Sequence, residues 1–139
     1  MKVGVPTEIK TDEYRVALTP SGVRELVENG HEVLIQAGAG EGSAITDGDY
    51  TAQGASILPD ADAVFAAAEM IVKVKEPQPE EVGRLEARHT LFTYLHLAPD
   101  PELTQGLVDS GATSRPPATA SSSGSRSGGA RSSSRCAAR

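Results

Sequence analysis

The chain has 139 residues, a formal charge of −6, 38% hydrophobic residues and a single cysteine. That length supports one domain, and one cysteine excludes a disulfide framework or a cysteine-rich metal cluster. No apolar run approaches the ~20 residues of a membrane-spanning helix, and no signal-peptide core opens the chain, so the sequence reads as a soluble, cytoplasmic protein.

The charge is unevenly spread. Met1–Thr113 holds eight of the 13 Lys/Arg and all 19 Asp/Glu, a net of −11, and the remaining residues carry +5. An acidic ordered part excludes nucleic acid as its natural partner, because phosphate recognition needs a positive face.

Lys2-Val3-Gly4-Val5 predicts a short strand stopped by Pro6, which has no N–H for a ladder. Thr19-Pro20 is a helix start, with Thr as N-cap and Pro in the first turn. Val23, Leu26 and Val27 share one face of that helix, and Gly30 supplies a left-handed stop. His31–Gln36 is the second predicted strand, so the opening reads as a strand–helix–strand unit with parallel strands. A short helix is expected over Asp47–Gln53, a minor strand over Ser56–Leu58 and a helix over Ala61–Ala68. Met70–Lys75 is the strongest strand, followed by prolines 77 and 79 and a helix over about Glu80–Leu85. Thr90–Leu95 is the next strand, and Pro101–Asp109 a helix ending at Gly111. The fold class that follows is α/β, a Rossmann-like (flavodoxin-like) open, mostly parallel sheet.

A further strand is due from Ala112 onward, but the composition changes there. Ser114–Arg139 contains nine Ser, five Arg, five Ala and three Gly, and no Leu, Ile, Val, Phe, Asp, Glu or Lys. Such a segment cannot bury enough apolar surface to offset its ordering entropy. We expect an ordered part at 1–113, incomplete as a sheet, and a disordered Ser/Arg/Ala/Gly-rich tail at 114–139. A GC-rich gene read out of frame yields this composition, and a sheet lacking its next strand would expose an unpaired edge.

Ligands of open parallel sheets bind beyond the carboxyl ends of the strands. Arg15 follows the first strand, Lys75 ends the strongest one and His96 ends the next. Arg can grip a carboxylate with two parallel hydrogen bonds, and Lys can polarise a carbonyl oxygen. Histidine is suited by pKa to move a proton near neutral pH. The three together suit a small carboxylate substrate. Each also has a plainer reading: a solvated strand-end lysine, an Arg15 paired with Asp12 or Glu13, a histidine closing an apolar strand. His31 and His89 read as surface or strand-start residues. Gly38-Ala39-Gly40-Glu41-Gly42 follows a strand as a dinucleotide loop would, but Ser43 stands where the third glycine belongs, and Glu41 would face a pyrophosphate. A tight surface loop is the better reading.

Several stretches then resemble one family in order and spacing. Gly4-Val5-Pro6-Thr7-Glu8 and Glu13-Tyr14-Arg15-Val16-Ala17-Leu18-Thr19-Pro20 look like the opening of the alanine dehydrogenases. Gly30–Gly40, Val72-Lys73-Val74-Lys75-Glu76-Pro77 and Leu91–Ala98 continue the resemblance, which runs from Met1 to Thr113. The related N-terminal part of nicotinamide nucleotide transhydrogenase is not expected to keep a Lys at 75 and a His at 96. The resemblance implies NAD-dependent, reversible oxidative deamination of L-alanine to pyruvate and ammonium. It implies that Arg15 and Lys75 bind substrate and that His96 is the catalytic acid/base. NAD is the family's cofactor, but its binding domain and a catalytic Asp lie in segments not encoded here, so the isolated chain is expected to be inactive. The family is homo-hexameric; its partner is the small-molecule substrate, with neither nucleic acid nor membrane. Two alternatives remain: a non-catalytic α/β binding or regulatory module, and the N-terminal part of a transhydrogenase alpha subunit.

Overall fold

The structure, a computed structural model, describes residues 1–95, 97, 99–115 and 117. Six strands form its sheet: β1 Lys2–Val5, β2 Glu32–Gln36, β3 Ser56–Leu58, β4 Met70–Val72, β5 Thr90–Phe92 and β6 Thr113–Arg115. The helices are α1 Pro20–Glu28, α2 Asp47–Thr51, α3 Ala61–Ala67, α4 Pro79–Val82 and α5 Pro101–Ser110. All strand pairs are parallel, in the order β3-β2-β1-β4-β5-β6. The expected open α/β sheet is present. Of the two doubly wound orders that expectation covers, the chain adopts the Rossmann one, with its switch point between β1 and β4.

Strand alternation sends side chains to two cores. Val3, Val5, Val33, Ile35 and Val72 pack with Val23 of α1 and Tyr50 of α2. Ile71 and Leu91 point the other way, onto Val64 and Phe65 of α3 and Leu103 and Leu107 of α5. Gly4 is required by this layering: a Cβ there would lie 2.7 Å from that of Ala68 and 2.8 Å from Val64 Cγ1. The absent side chain lets α3 cross close over β1.

Local signals decide where elements start. Thr19 Oγ1 accepts the Gly22 N–H, Asp60 caps Ala63, and Asp100 caps Leu103, each an N-cap satisfying an orphan donor. Gly30 and Gly111 end their helices at φ +80° and +69°.

Two strands are shorter than expected. β4 stops at Val72 rather than Lys75, because the N–H groups of Val74 and Lys75 turn to the Glu8 carboxylate. β5 stops at Phe92, and Thr93 hydrogen-bonds back to the Lys75 carbonyl. At the far edge the opposite occurs. β6 takes Ser114 and Arg115 into the sheet, two residues past the compositional break, and covers β5. Ladder bonds are made by backbone, so an edge strand tolerates polar side chains. The remaining tail, residues 118–139, lies outside the described residues.

Candidate functional site

The switch point is filled by charge. Pro6 ends β1, and Glu8 turns back so that its side chain is buried in the gap beside β4. Its oxygens accept the Val74 N–H at 2.6 Å, the Lys75 N–H at 3.4 Å and Lys73 Nζ at 3.1 Å. Lys73 Nζ also donates to Glu81 Oε1 at 2.6 Å, and Glu81 Oε2 takes the Gln78 N–H at 2.8 Å. The Lys73, Glu8 and Glu81 side chains are 1%, 3% and 2% exposed. Burying charges this way is tolerable only when the groups are paired and hydrogen-bonded, as here.

This cluster fixes the segment that carries Lys75. Its N–H is held by Glu8 and its carbonyl accepts from Thr93 Oγ1 at 2.7 Å. The residue as a whole is half-buried.

Arg15 lies on the loop between β1 and α1. Its Nε and Nη2 donate to the two oxygens of Glu13 at 2.8 and 2.6 Å, and its backbone N–H donates to Oε1 at 3.0 Å. These hydrogen bonds, with the charges of Arg15 and Lys75, hold the Glu13 carboxyl down at about 2. Arg15 is the main partner of this carboxylate and Lys75 a lesser one, while the guanidinium stays exposed. An open cavity of about 350 Å³ adjoins Arg15, walled by Glu8, Lys10, Glu13 and Arg15 on one side and Gly38 and Glu41 on the other; Lys75 is not among its lining residues. Lys10, paired with Glu76, separates it from a second cavity of about 460 Å³ against Val82 and Leu103. Asp12, at φ 61°, makes the tight turn between Lys10 and Glu13; Asp is among the few residues that accept that region.

The glycine-rich loop buttresses this site and does not fit a pyrophosphate. The Gly38 N–H donates to Asp47 Oδ1 at 3.0 Å, Glu41 lies over it, and only a single 3-10 turn, Glu41–Ser43, follows. Ser43 Oγ donates to the Tyr14 carbonyl, and a Cβ on Gly42 would lie 2.4 Å from that oxygen. The glycine admits the backbone next to Arg15.

Of the residues singled out in sequence, Arg15 follows β1 and is paired with Glu13, as its plainer reading has it, Lys75 follows β4, and His96 lies outside the described residues. His31 is partly exposed, beside the amino terminus. His89 does precede β5 but is not a surface residue: it is 1% exposed, edge-on to Phe65. Its Nδ1 accepts the Glu86 N–H, so Nε2 bears the proton and donates to the Phe65 carbonyl at 2.9 Å. Sequence reasoning passed over Glu8, Lys73 and Glu81. No local signal marks them, because both faces of β4 are buried and Lys73 lies just beyond its end.

Comparison with known proteins bears on the family and the fold. Residues 4–116 match the family model "Alanine dehydrogenase/PNT, N-terminal domain". The chain is 61% identical over 113 residues to an alanine dehydrogenase of Halomonas elongata, covering 81% of this chain and 30% of that protein. A solved L-alanine dehydrogenase superposes with TM-score 0.79 at 49% identity, over 82% of this chain and 31% of the other. A transhydrogenase from Sinorhizobium meliloti superposes with TM-score 0.77 at 27% identity, over 82% and 34%. The chain thus spans about a third of the length of the relatives it matches. With the Rossmann-ordered sheet, and with matched residues running from β1 into β6, the chain belongs to the alanine dehydrogenase/PNT N-terminal domain family.

Proposed function

We propose that this chain forms the small-carboxylate-binding half of an alanine dehydrogenase active site, serving reversible oxidative deamination of L-alanine to pyruvate and ammonium. One observation carries the reading: Arg15 grips the Glu13 carboxylate with two parallel N–H donors on the loop after β1, with a lesser attraction from the Lys75 charge. That corner stabilises a carboxylate strongly, as a binding site for alanine or pyruvate must.

In this reading Arg15 takes the substrate carboxylate through two parallel N–H donors. Lys75, held by its own backbone, polarises the carbonyl oxygen of pyruvate. His96, the acid/base group that the family resemblance implies, handles the proton as water adds at the α-carbon and ammonium departs. NAD would be the hydride acceptor of the longer protein, and the Gly38–Ser43 loop is not its pyrophosphate site. A cytoplasmic location accords with a described structure in which no helix is long and apolar enough to cross a membrane. A transhydrogenase-type subunit is the second reading. It shares the fold, but the 27% identity to that structure, against 49% to the alanine dehydrogenase, favours the first.

Calorimetric titration of the chain with pyruvate tests the proposal. Saturable binding that falls at least about tenfold in both Arg15→Ala and Lys75→Ala is expected, since hydrogen bonds to charged groups contribute about 1.5–3 kcal/mol. Equal binding by both variants and the unsubstituted chain would refute it.

A further inference from the structure

We propose that Glu8 is a positioning residue for Lys75, acting through the backbone of residues 74 and 75 rather than on substrate. The inference rests on the reading of Lys75 as a substrate-binding group and adds to it the device that aims this side chain.

Lys75 lies beyond the end of β4, where ladder bonds no longer fix the chain. A lysine side chain on a loose segment would sweep a wide volume and hold a small substrate poorly. Here both backbone groups of Lys75 are taken, the N–H by Glu8 Oε2 and the carbonyl by Thr93 Oγ1. The preceding N–H, of Val74, makes a 2.6 Å bond to Glu8 Oε1. Glu8 is itself oriented, because Lys73 Nζ holds its Oε2. Lys73 is fixed in turn by Glu81, which is tied to Gln78 at the start of α4. The chain of contacts thus runs from the loops after β1 and β5 and from α4 into one dipeptide. A carboxylate is suited to the role, since its two oxygens can accept two consecutive N–H groups and an ammonium at once.

The test is a double-mutant cycle on pyruvate affinity, with Glu8→Gln and Lys75→Ala made singly and together in the full chain. Glu8→Gln leaves Lys73 paired with Glu81, so no buried charge is left without a partner. We expect Glu8→Gln to weaken pyruvate binding about tenfold in the unsubstituted chain. In the Lys75→Ala background, where Arg15 supplies the remaining affinity, it should change binding less than about twofold. Faster amide exchange at Val74 and Lys75 should accompany the loss. An equal factor in both backgrounds, or none in either, overturns the positioning role. Lys75→Ala binding as well as the unsubstituted chain, or no uptake of pyruvate by that chain, overturns instead the reading beneath it. Should Glu8→Gln fail to fold, Thr93→Val carries the same cycle, because it removes only the hydrogen bond to the Lys75 carbonyl.

Discussion

Glu8 and Lys73 meet at 3.1 Å in the gap between β1 and β4, both side chains buried. Glu81 completes the cluster from α4, so one ammonium is held between two carboxylates. Lys73→Met would leave both carboxylates buried without a cation. Breaking such a cluster from one side costs about 3–5 kcal/mol. Urea denaturation should show that loss, and adding Glu8→Gln and Glu81→Gln to Lys73→Met should recover most of it. Unchanged stability in Lys73→Met would mean the cluster is solvated.

Gly42→Ala tests the role found for the glycine-rich loop. The new Cβ would lie 2.4 Å from the Tyr14 carbonyl oxygen, a backbone atom that cannot swing aside. Overpacking of this kind costs about 1–3 kcal/mol. Because Tyr14 precedes Arg15, pyruvate affinity should fall as well. A variant with normal stability and affinity would remove the loop from the site.

Glu13 gives a pH signature. Its carboxyl lies at about 2 in the folded chain against an ordinary 4.5, chiefly through the Arg15 hydrogen bond. A depressed folded value means the pair's contribution to stability is complete above about pH 4.5 and is lost as pH falls toward 2. Carboxyl carbon NMR should find Glu13 still ionised at about pH 3.5. Arg15→Gln should return its midpoint toward 4.5. A midpoint near 4.5 with Arg15 intact would contradict the bidentate pair.

Ser114 is the one residue of β6 that does not suit its place. Its hydroxyl oxygen is the only buried side-chain polar atom without a partner among the described residues, and the residue lines a cavity with Leu97, Leu107 and Ala112. An unsatisfied buried hydroxyl costs about 1–3 kcal/mol. Ser114→Val should therefore raise stability by about 1–2 kcal/mol in thermal or urea unfolding. A neutral or destabilising result would show that position 114 does not face this apolar cavity.

The order and type of the elements were legible because each depends on neighbours in sequence. Thr19-Pro20 starts α1 and Gly30 stops it, and the apolar alternation of Val3 and Val5 or Ile71 and Leu91 assigns faces. Strand ends were not legible. Where β4 stops is decided by Glu8, 64 residues before Val72 in sequence, which takes the N–H groups a longer ladder would use. The candidate site was legible in Arg15 and Lys75, which stand after strands in an open parallel sheet. Its supporting cluster was hidden, because Glu8, Lys73 and Glu81 look in sequence like ordinary surface charges. Only the fold shows that three elements bury them together. His89 escaped for the same reason, its partner Phe65 lying on α3. The compositional break misplaced the end of the sheet, because β6 needs only backbone groups to pair with β5.

The central claim, that Arg15 and Lys75 form one carboxylate site at the switch point, is tested most directly by nitrogen-15 NMR of the chain during titration with pyruvate. The account predicts saturable shifts at the Arg15 Nε–H and the Lys75 amide with a common affinity, as pyruvate displaces Glu13. Shifts confined to other residues, or an Arg15 signal that stays put while pyruvate binds elsewhere, would contradict it.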